Sequence, residues 1–355
     1  MVIAFDHTTL GQRVLFGTGS AVDNAVTAIN DLHAQRVLLV ADAFAVGTAD
    51  AIADGVSVAA RINDIVQHVP VENGLGAVET AQRVDADAVL TIGGGSATGL
   101  AKFVARDTGL PIVAVPTTFA GSEATNVWGQ TDGGRKVTGV DDRVLPRVIV
   151  YDASLSASMP SHLAAASGMN AMAHAVDGFW APRVDPMNRA MGTEAVRALV
   201  AGLRRLAGAP DDLEAREQCL YGAYLAAVAF ASAGSGLHHK ICHVLGGAYN
   251  LSHAEMHAIV LPYVTAFNET SAVDAATRVS AALGGGAAGA GLYELRGRLG
   301  ITGSLAELGL VESNIPEAAR LCLQAVPPAN PRPVTLDDLE KLLRAAWAGD
   351  AIEGE

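Results

Sequence analysis

The sequence predicts an α/β N-terminal domain followed by an all-α C-terminal domain, and two observations carry this. Up to about residue 155, short β-branched apolar runs alternate with longer helical patterns, the signature of parallel strands joined by crossover helices. Beyond Leu155 the pattern changes to long Ala- and Leu-rich stretches with few strand signals. The expected division is therefore residues 1–155 and 156–355, with no internal repeat.

In chain order, residues 37–41, 88–92, 112–115 and 148–151 read as strands. The first leads to Asp42, placed either to accept hydrogen bonds from a ribose hydroxyl and repel a 2′-phosphate, which would favour NADH over NADPH, or to cap the next turn. The second runs into Gly93, Gly94, Gly95 and Ser96 and then a helix through Lys102 and Phe103. Glycines let the backbone approach a phosphate without a Cβ clash, and a helix start offers free N–H groups and a positive dipole end. The run is not GxGxxG, and a plain tight turn uses the same residues. The third strand ends in Pro116, Thr117, Thr118, Phe119, Ala120, Gly121 and Ser122, whose hydroxyls at a strand's carboxyl end can face a ligand crevice.

In the second half, residues 193–206 and 214–233 read as helices, residues 284–291 (GGGAAGAG) as a flexible connection, and residues 327–333 as a stiff one leading to a last helix capped by Thr335 or Asp337. Five of the ten histidines fall between Gly236 and Pro262. His239 and His243 are four residues apart, as are His253 and His257, and as are Asn170 and His174 upstream, so each pair shares one helix face. Three such faces can converge on a polar pocket. Neutral imidazoles gathered there bind a metal, move protons or orient a polar substrate; the alternative is that each is an ordinary histidine satisfied by hydrogen bonds.

Composition excludes several classes. Twenty-four basic against 37 acidic side chains give a net charge of -13, which argues against nucleic acid and against an anionic membrane surface. An anionic substrate then needs a local cationic pocket, for which Arg135, Lys136 and Lys240 are candidates; Lys136 leads, because Gly133 and Gly134 mark a turn. Cys219, Cys242 and Cys322 have no paired spacing and fit a reducing cytoplasm, Cys242 lying among the histidines either as a reactive group or as a small buried hydrophobe. The N-terminus lacks the pattern of a signal peptide, and the apolar stretch at 220–233 is too short to span a bilayer, so a cytoplasmic protein is expected.

Taken together, GGGSATGLAK, PTTFAGSEAT, SGMNAMAHAVDGFW and HKICHVLGGAYNLSHAEMHAIVLP resemble the iron-containing alcohol dehydrogenase superfamily, most closely its maleylacetate reductase branch. The resemblance covers almost the whole chain. It implies a dehydroquinate synthase-like fold with an N-terminal dinucleotide-binding α/β domain, a C-terminal helical domain and an active site in a cleft, a homodimer, and NAD(P)H-dependent reduction of maleylacetate to 3-oxoadipate in aromatic-compound breakdown. It also implies that metal-dependent relatives place an aspartate ligand at Asn170 and three histidine ligands at His174, His239 and His253. Here the only anionic ligand is replaced by a neutral amide, a weaker set for hard divalent metals, and Gly99 stands where alcohol-dehydrogenating relatives usually carry aspartate. The expectation is thus a vestigial or weak metal site, no required metal, and a small dicarboxylate substrate. His243 would donate or polarise beside the nicotinamide, with His239, His253, His174 and Lys136 around the substrate. Two other functions stand beside this one: a metal-dependent alcohol or aldehyde oxidoreductase, and a relative that binds nucleotide or metal without turnover.

Overall fold

The computed structural model describes residues 4–133 and 135–353, without the side chains of Arg135 and Lys136. The chain divides into two compact units, one spanning Leu10–Met159 and the other everything from Pro160 onward together with the segment before Leu10. The division falls a few residues later than the sequence suggests. The reason is Asp152, whose carboxylate caps the turn at Ala153–Ser156 and also accepts from the N–H groups of Gly19 and Ala21, tying that turn to the first unit. The N-terminal segment goes with the helices instead, since His7 Nδ1 lies 2.7 Å from Asp185 Oδ2.

The first unit runs β1 (Arg13–Phe16), α1 (Ala21–Asp31), β2 (Val37–Ala41), α2 (Val46–Ala53), β3 (Val58–Ile62), α3 (Val71–Arg83), β4 (Ala88–Gly93), α4 (Gly95–Thr108), β5 (Ile112–Pro116), β6 (Val127–Asp132), β7 (Arg135–Val140) and β8 (Val148–Tyr151). Six strands form a parallel sheet in the order β1-β8-β5-β4-β2-β3, and β6 and β7 form a separate antiparallel hairpin. Every residue of β2, VLLVA, is buried because both faces of the sheet are covered. Val37, Leu39 and Ala41 join the core beneath α1 and α2, while Leu38 and Val40 join the core beneath α3 and α4. The helix after β2 and the helix after β4 therefore lie on opposite faces, which opens a crevice at the carboxyl ends of these neighbouring strands, where open α/β sheets bind ligands.

The second unit is helical: α5 (Ser161–Gly178), α6 (Pro186–Gly208), α7 (Leu213–Ala233), α8 (Leu237–Tyr249), α9 (His253–Glu269), α10 (Val273–Leu283), α11 (Ala288–Arg298), α12 (Ile315–Ala325) and α13 (Leu336–Ala348). From Ala164 to Gly178, α5 is buried at every position but His174, as expected of a helix enclosed by others. It packs against α6, α7, α8 and α9. The glycine-rich tract is shorter as a connection than its composition suggests: Gly284, Gly285 and Gly286 turn with positive φ, but Gly289 and Gly291 lie inside α11. A Cβ at Gly289 would come 2.6 Å from the Ala266 Cβ, so this glycine serves close helix packing. Thr335 caps α13 in a reciprocal capping box with Asp338. No single helix among the described residues is long and apolar enough to cross a membrane; α7 and α8 satisfy length and composition only as a pair, bent by 94°.

Candidate functional site

In the first unit the glycine turn is built for close approach. Gly93 has φ 153°, and a Cβ there would lie 2.8 Å from both Ala97 Cβ and Asp42 Cβ. Gly94 caps α4 without a side chain, leaving the first backbone N–H groups, from Gly95 and Ser96, directed outward as a helix start presents them. A Cβ on Gly94 would meet Thr118 Cγ2 at 3.1 Å, and Thr117 N–H donates to the Gly93 carbonyl at 3.0 Å. The structure thus brings together Asp42, Gly93, Gly94, Gly95, Ser96, Thr117 and Thr118. Asp42 caps the turn after β2, its Oδ1 accepting from Phe44 N–H at 2.9 Å, while Oδ2 lies on the Gly93 side. Ser122 stands beyond Gly121 at the start of the next short turn, where its carbonyl accepts from Thr125. The Lys136 backbone pairs with Thr131 in the hairpin, but its side chain, like that of Arg135, lies outside the described residues.

In the second unit the three i,i+4 pairs fall on helices as the spacing predicts: Asn170 and His174 on α5, His239 and His243 on α8, His253 and His257 on α9. His239 is the hub. Its ring stacks on His174 with centroids 5.1 Å apart and lies 4.9 Å from His257, 5.2 Å from His238 and 6.1 Å from His243. His253 sits 4.4 Å from His257, and Phe230 closes the apolar side 4.4 Å from His239.

Asp177, seven residues after Asn170 on α5 and fully buried, fixes this hub, and sequence reasoning did not assign it. Its carboxylate accepts from the N–H groups of Gly236, His238 and His239, from Trp180 Nε1 and from His239 Nδ1, the last at 2.8 Å. It thereby caps α8 from another helix, with its charge at the positive end of that helix's dipole. The contact requires a glycine at 236, where a Cβ would lie 2.5 Å from Asp177 Oδ1. Because His239 donates through Nδ1, its Nε2 carries the lone pair, and that nitrogen has no hydrogen-bond partner.

Asn170 Oδ1, His174 Nδ1, His257 Nε2 and His238 Nδ1 are likewise buried without partners. Burial is also what sets protonation here. It pulls His174 down to about 4 and His238 to about 3, and it carries His239 and His257 well below the usual imidazole range, each helped by neighbouring rings. At neutral pH these four are therefore neutral. Cys242 is buried in the core, and its thiol is pushed well up by burial and by Asp177, so it stays a thiol.

The donor set fits a hard divalent metal poorly. Asn170 brings no charge, and the one carboxylate nearby, Asp177, is already occupied by its five donors. Among the described residues, the set of three His, Cys, Asp or Glu whose ligand atoms lie within 4.8 Å of one another is His238, Cys242 and His257, not the His174, His239 and His253 that the resemblance implies as ligands. Within it, His238 Nε2 and His257 Nδ1 are 2.9 Å apart, whereas two nitrogens on a tetrahedral zinc, each about 2.0–2.1 Å from it, stand roughly 3.3 Å apart. That spacing is an ordinary hydrogen bond between two rings.

Family models match both units: iron-containing alcohol dehydrogenase over residues 11–153, and the C-terminal part of the Fe-containing alcohol dehydrogenase family over residues 164–347. The chain belongs to the iron-containing alcohol dehydrogenase family. It is 41% identical over 339 residues to a maleylacetate reductase of Burkholderia cepacia, covering 95% of this chain and 96% of that protein. Among solved structures it is similar to an iron-containing alcohol dehydrogenase from Corynebacterium glutamicum (46% identity, TM-score 0.95, covering 99% and 98% of the two chains). It is also similar to the maleylacetate reductase from Rhizobium sp. strain MTP-10005 (40% identity, TM-score 0.93, covering 98% and 99%).

Proposed function

We propose that this chain is a maleylacetate reductase, reducing the carbon–carbon double bond of maleylacetate to give 3-oxoadipate in aromatic-compound catabolism. The observation that carries the reading is Asn170: a buried amide whose Oδ1 has no partner, one helical turn before His174 on α5, where metal-dependent relatives are expected to hold a charged ligand. Likeness over nearly the full chain to proteins named for this activity supports it.

NADH, when bound, supplies the hydride. Gly93 to Ser96 are assigned its pyrophosphate, Thr117, Thr118 and Ser122 the wall beside it, and Asp42 a ribose hydroxyl, with NADPH disfavoured but possible. Hydride addition to an enone moves negative charge onto the ketone oxygen, and conjugation already spreads that charge, so N–H donors can stabilise it where a simple aldehyde calls for a Lewis acid. His174 and His257, each with a buried nitrogen unengaged, serve as such donors in the tautomer that carries the proton on that nitrogen. His239 presents a lone pair and so accepts from a substrate hydroxyl or proton. His243, half-buried and one turn from His239, exchanges the proton with solvent, and His253 borders the substrate beside His257. Lys136 is proposed to meet a substrate carboxylate. No metal is required on this reading, the working assembly is a homodimer, and the compartment is the cytoplasm.

The test is NADH oxidation by the purified protein with maleylacetate and with simple aldehydes, each with and without chelator. Enone reduction that survives chelation is expected. Aldehyde reduction abolished by chelator and restored by one divalent ion would replace this reading with metal-dependent alcohol or aldehyde chemistry, and binding without turnover would remove it.

A further inference from the structure

Lys102 is buried to 1% exposure on α4, two helical turns beyond the glycine cap, and nothing in the proposed chemistry uses it. Its Nζ donates to the Thr125 carbonyl at 2.8 Å, to Thr125 Oγ1 at 3.1 Å and to the Val127 carbonyl at 2.7 Å. An ammonium has three N–H donors, and three acceptors meet it. These acceptors end the loop that begins with Thr117. At its near end that loop touches the glycine turn, through Thr117 N–H on the Gly93 carbonyl and through Thr118 against Gly94. The loop is therefore fastened at both ends: at the near end to the turn between β4 and α4, at the far end to Lys102 of α4.

A second brace comes from the other side. Glu123, buried at 2% exposure in the middle of the loop, accepts from the Tyr151 hydroxyl at 2.6 Å, and its carbonyl accepts from Gln12 Nε2 at 2.9 Å. Burial works against the charge on both Lys102 and Glu123, pulling the lysine down to about 7 and pushing the carboxyl up, and each charge favours the other's without a direct contact between them.

We propose that Lys102 is a positioning residue for nucleotide binding: it holds the Thr117-to-Val127 loop in its bound shape before the cofactor arrives, so that its ordering cost is not charged against NADH affinity. This rests on the assignment of the glycine turn and threonine loop to NADH. Without Lys102 the loop, which pivots at Gly121 with φ 74°, becomes free to sample other shapes, and binding must order it.

Lys102→Met tests this, together with Lys102→Met/Glu123→Gln, which removes the stranded charge, and Lys102→Arg, which keeps a buried cation. The expected result is an NADH dissociation constant raised tenfold or more in the first two, partly recovered in the third, and a kcat at saturating NADH within about threefold of the parent. A folded double variant that binds NADH within twofold of the parent overturns the proposal, as does a loss confined to kcat. In case neither Met variant folds, amide exchange on the parent decides. Residues 117–127 should be protected without NADH and change little on adding it; free exchange that is quenched only by NADH overturns the proposal. Gly94→Val separates the two layers: if it leaves NADH binding unchanged, the cradle assignment itself has failed, and if it weakens binding while the Lys102 variants do not, only Lys102 has.

Discussion

Asp177→Asn should be among the most damaging single-atom changes available in the helical unit. An asparagine offers one carbonyl and one NH2 where Asp177 offers two acceptor oxygens. With the NH2 in the Oδ1 place, Trp180 Nε1 and the His238 N–H lose their acceptor; in the Oδ2 place, the Gly236 and His239 N–H groups lose theirs, and His239 must also move its proton from Nδ1 to Nε2. Two buried donors are orphaned either way, at roughly 1–3 kcal/mol each, and the remaining bonds lose their charge assistance. A total of about 4 kcal/mol, at roughly 2–4 °C per kcal/mol for a unit of this size, lowers the melting temperature by about 10 °C. Because the substitution also disturbs the ring at the centre of the histidine cluster, kcat measured well below the new melting temperature should fall by about tenfold or more. Calorimetry and initial-rate kinetics on the same preparation check both numbers. A variant that melts within about 2 °C of the parent and turns over normally would show that Asp177 neither caps α8 nor orients His239.

Gly94→Val should raise the NADH dissociation constant by more than roughly tenfold, because its side chain fills the approach to the α4 start and meets Thr118, and Asp42→Ser should shift preference toward NADPH; binding titrations with both cofactors decide. His243→Ala should lower turnover by about a hundredfold to ten-thousandfold while leaving NADH affinity nearly intact, and equal losses in both would remove it as the proton donor. Acid should weaken the fold before the carboxylates titrate: with His174 held near 4 and His238 near 3 when folded against 6.5 as their ordinary value, the unfolded chain binds more protons between these limits, so stability falls as pH drops through and below 6.5. By pH 4 the cost is about 3 kcal/mol for each ring, and equal urea midpoints at pH 7.5 and pH 5 would contradict it.

The strands that the sequence shows most clearly are those buried on both faces, β2, β4, β5 and β8, because continuous apolar runs are what a covered sheet demands. β3 escapes notice because VAARI is only half-buried and contains Arg61, β1 because RVLF lies at the sheet edge with both end residues exposed, and the hairpin of β6 and β7 because its pattern is polar. In the site, helical spacing finds every pair that lies along one helix. It misses the bonds that hold the helices together, since Asp177 meets His239 across 62 positions and His238 meets His257 across 19. One local signal was available: Asn170, His174 and Asp177 stand at i, i+4 and i+7, one continuous stripe of polar residues on a helix whose buried remainder is mostly Ala, Met and Gly.

That stripe opens onto a cluster whose buried rings are neutral, and this bears on how an acidic protein would hold a dicarboxylate. Two sources of positive charge compete. If Lys136 supplies it, the cation is already present, and substrate affinity should hardly change between pH 6.5 and 8.5. If the imidazoles supply it, they must take up protons on binding. An anion within about 4–6 Å raises an imidazole by roughly 1–3 pKa units, which would bring His174 from about 4 to the edge of neutrality. Binding would then be coupled to proton uptake and would weaken as pH rises, by up to about tenfold per pH unit for each proton fully taken up. We expect the imidazoles to take up protons in addition to the contact proposed for Lys136, because the rings already lie together and their neutrality is a consequence of burial that an incoming anion opposes. The measurement is the dissociation constant of an unreactive dicarboxylate analogue across that range, with calorimetry in two buffers of different ionisation enthalpy. An affinity that stays flat, with a binding enthalpy independent of buffer, would return the role to Lys136 and leave the histidines only their hydrogen bonds.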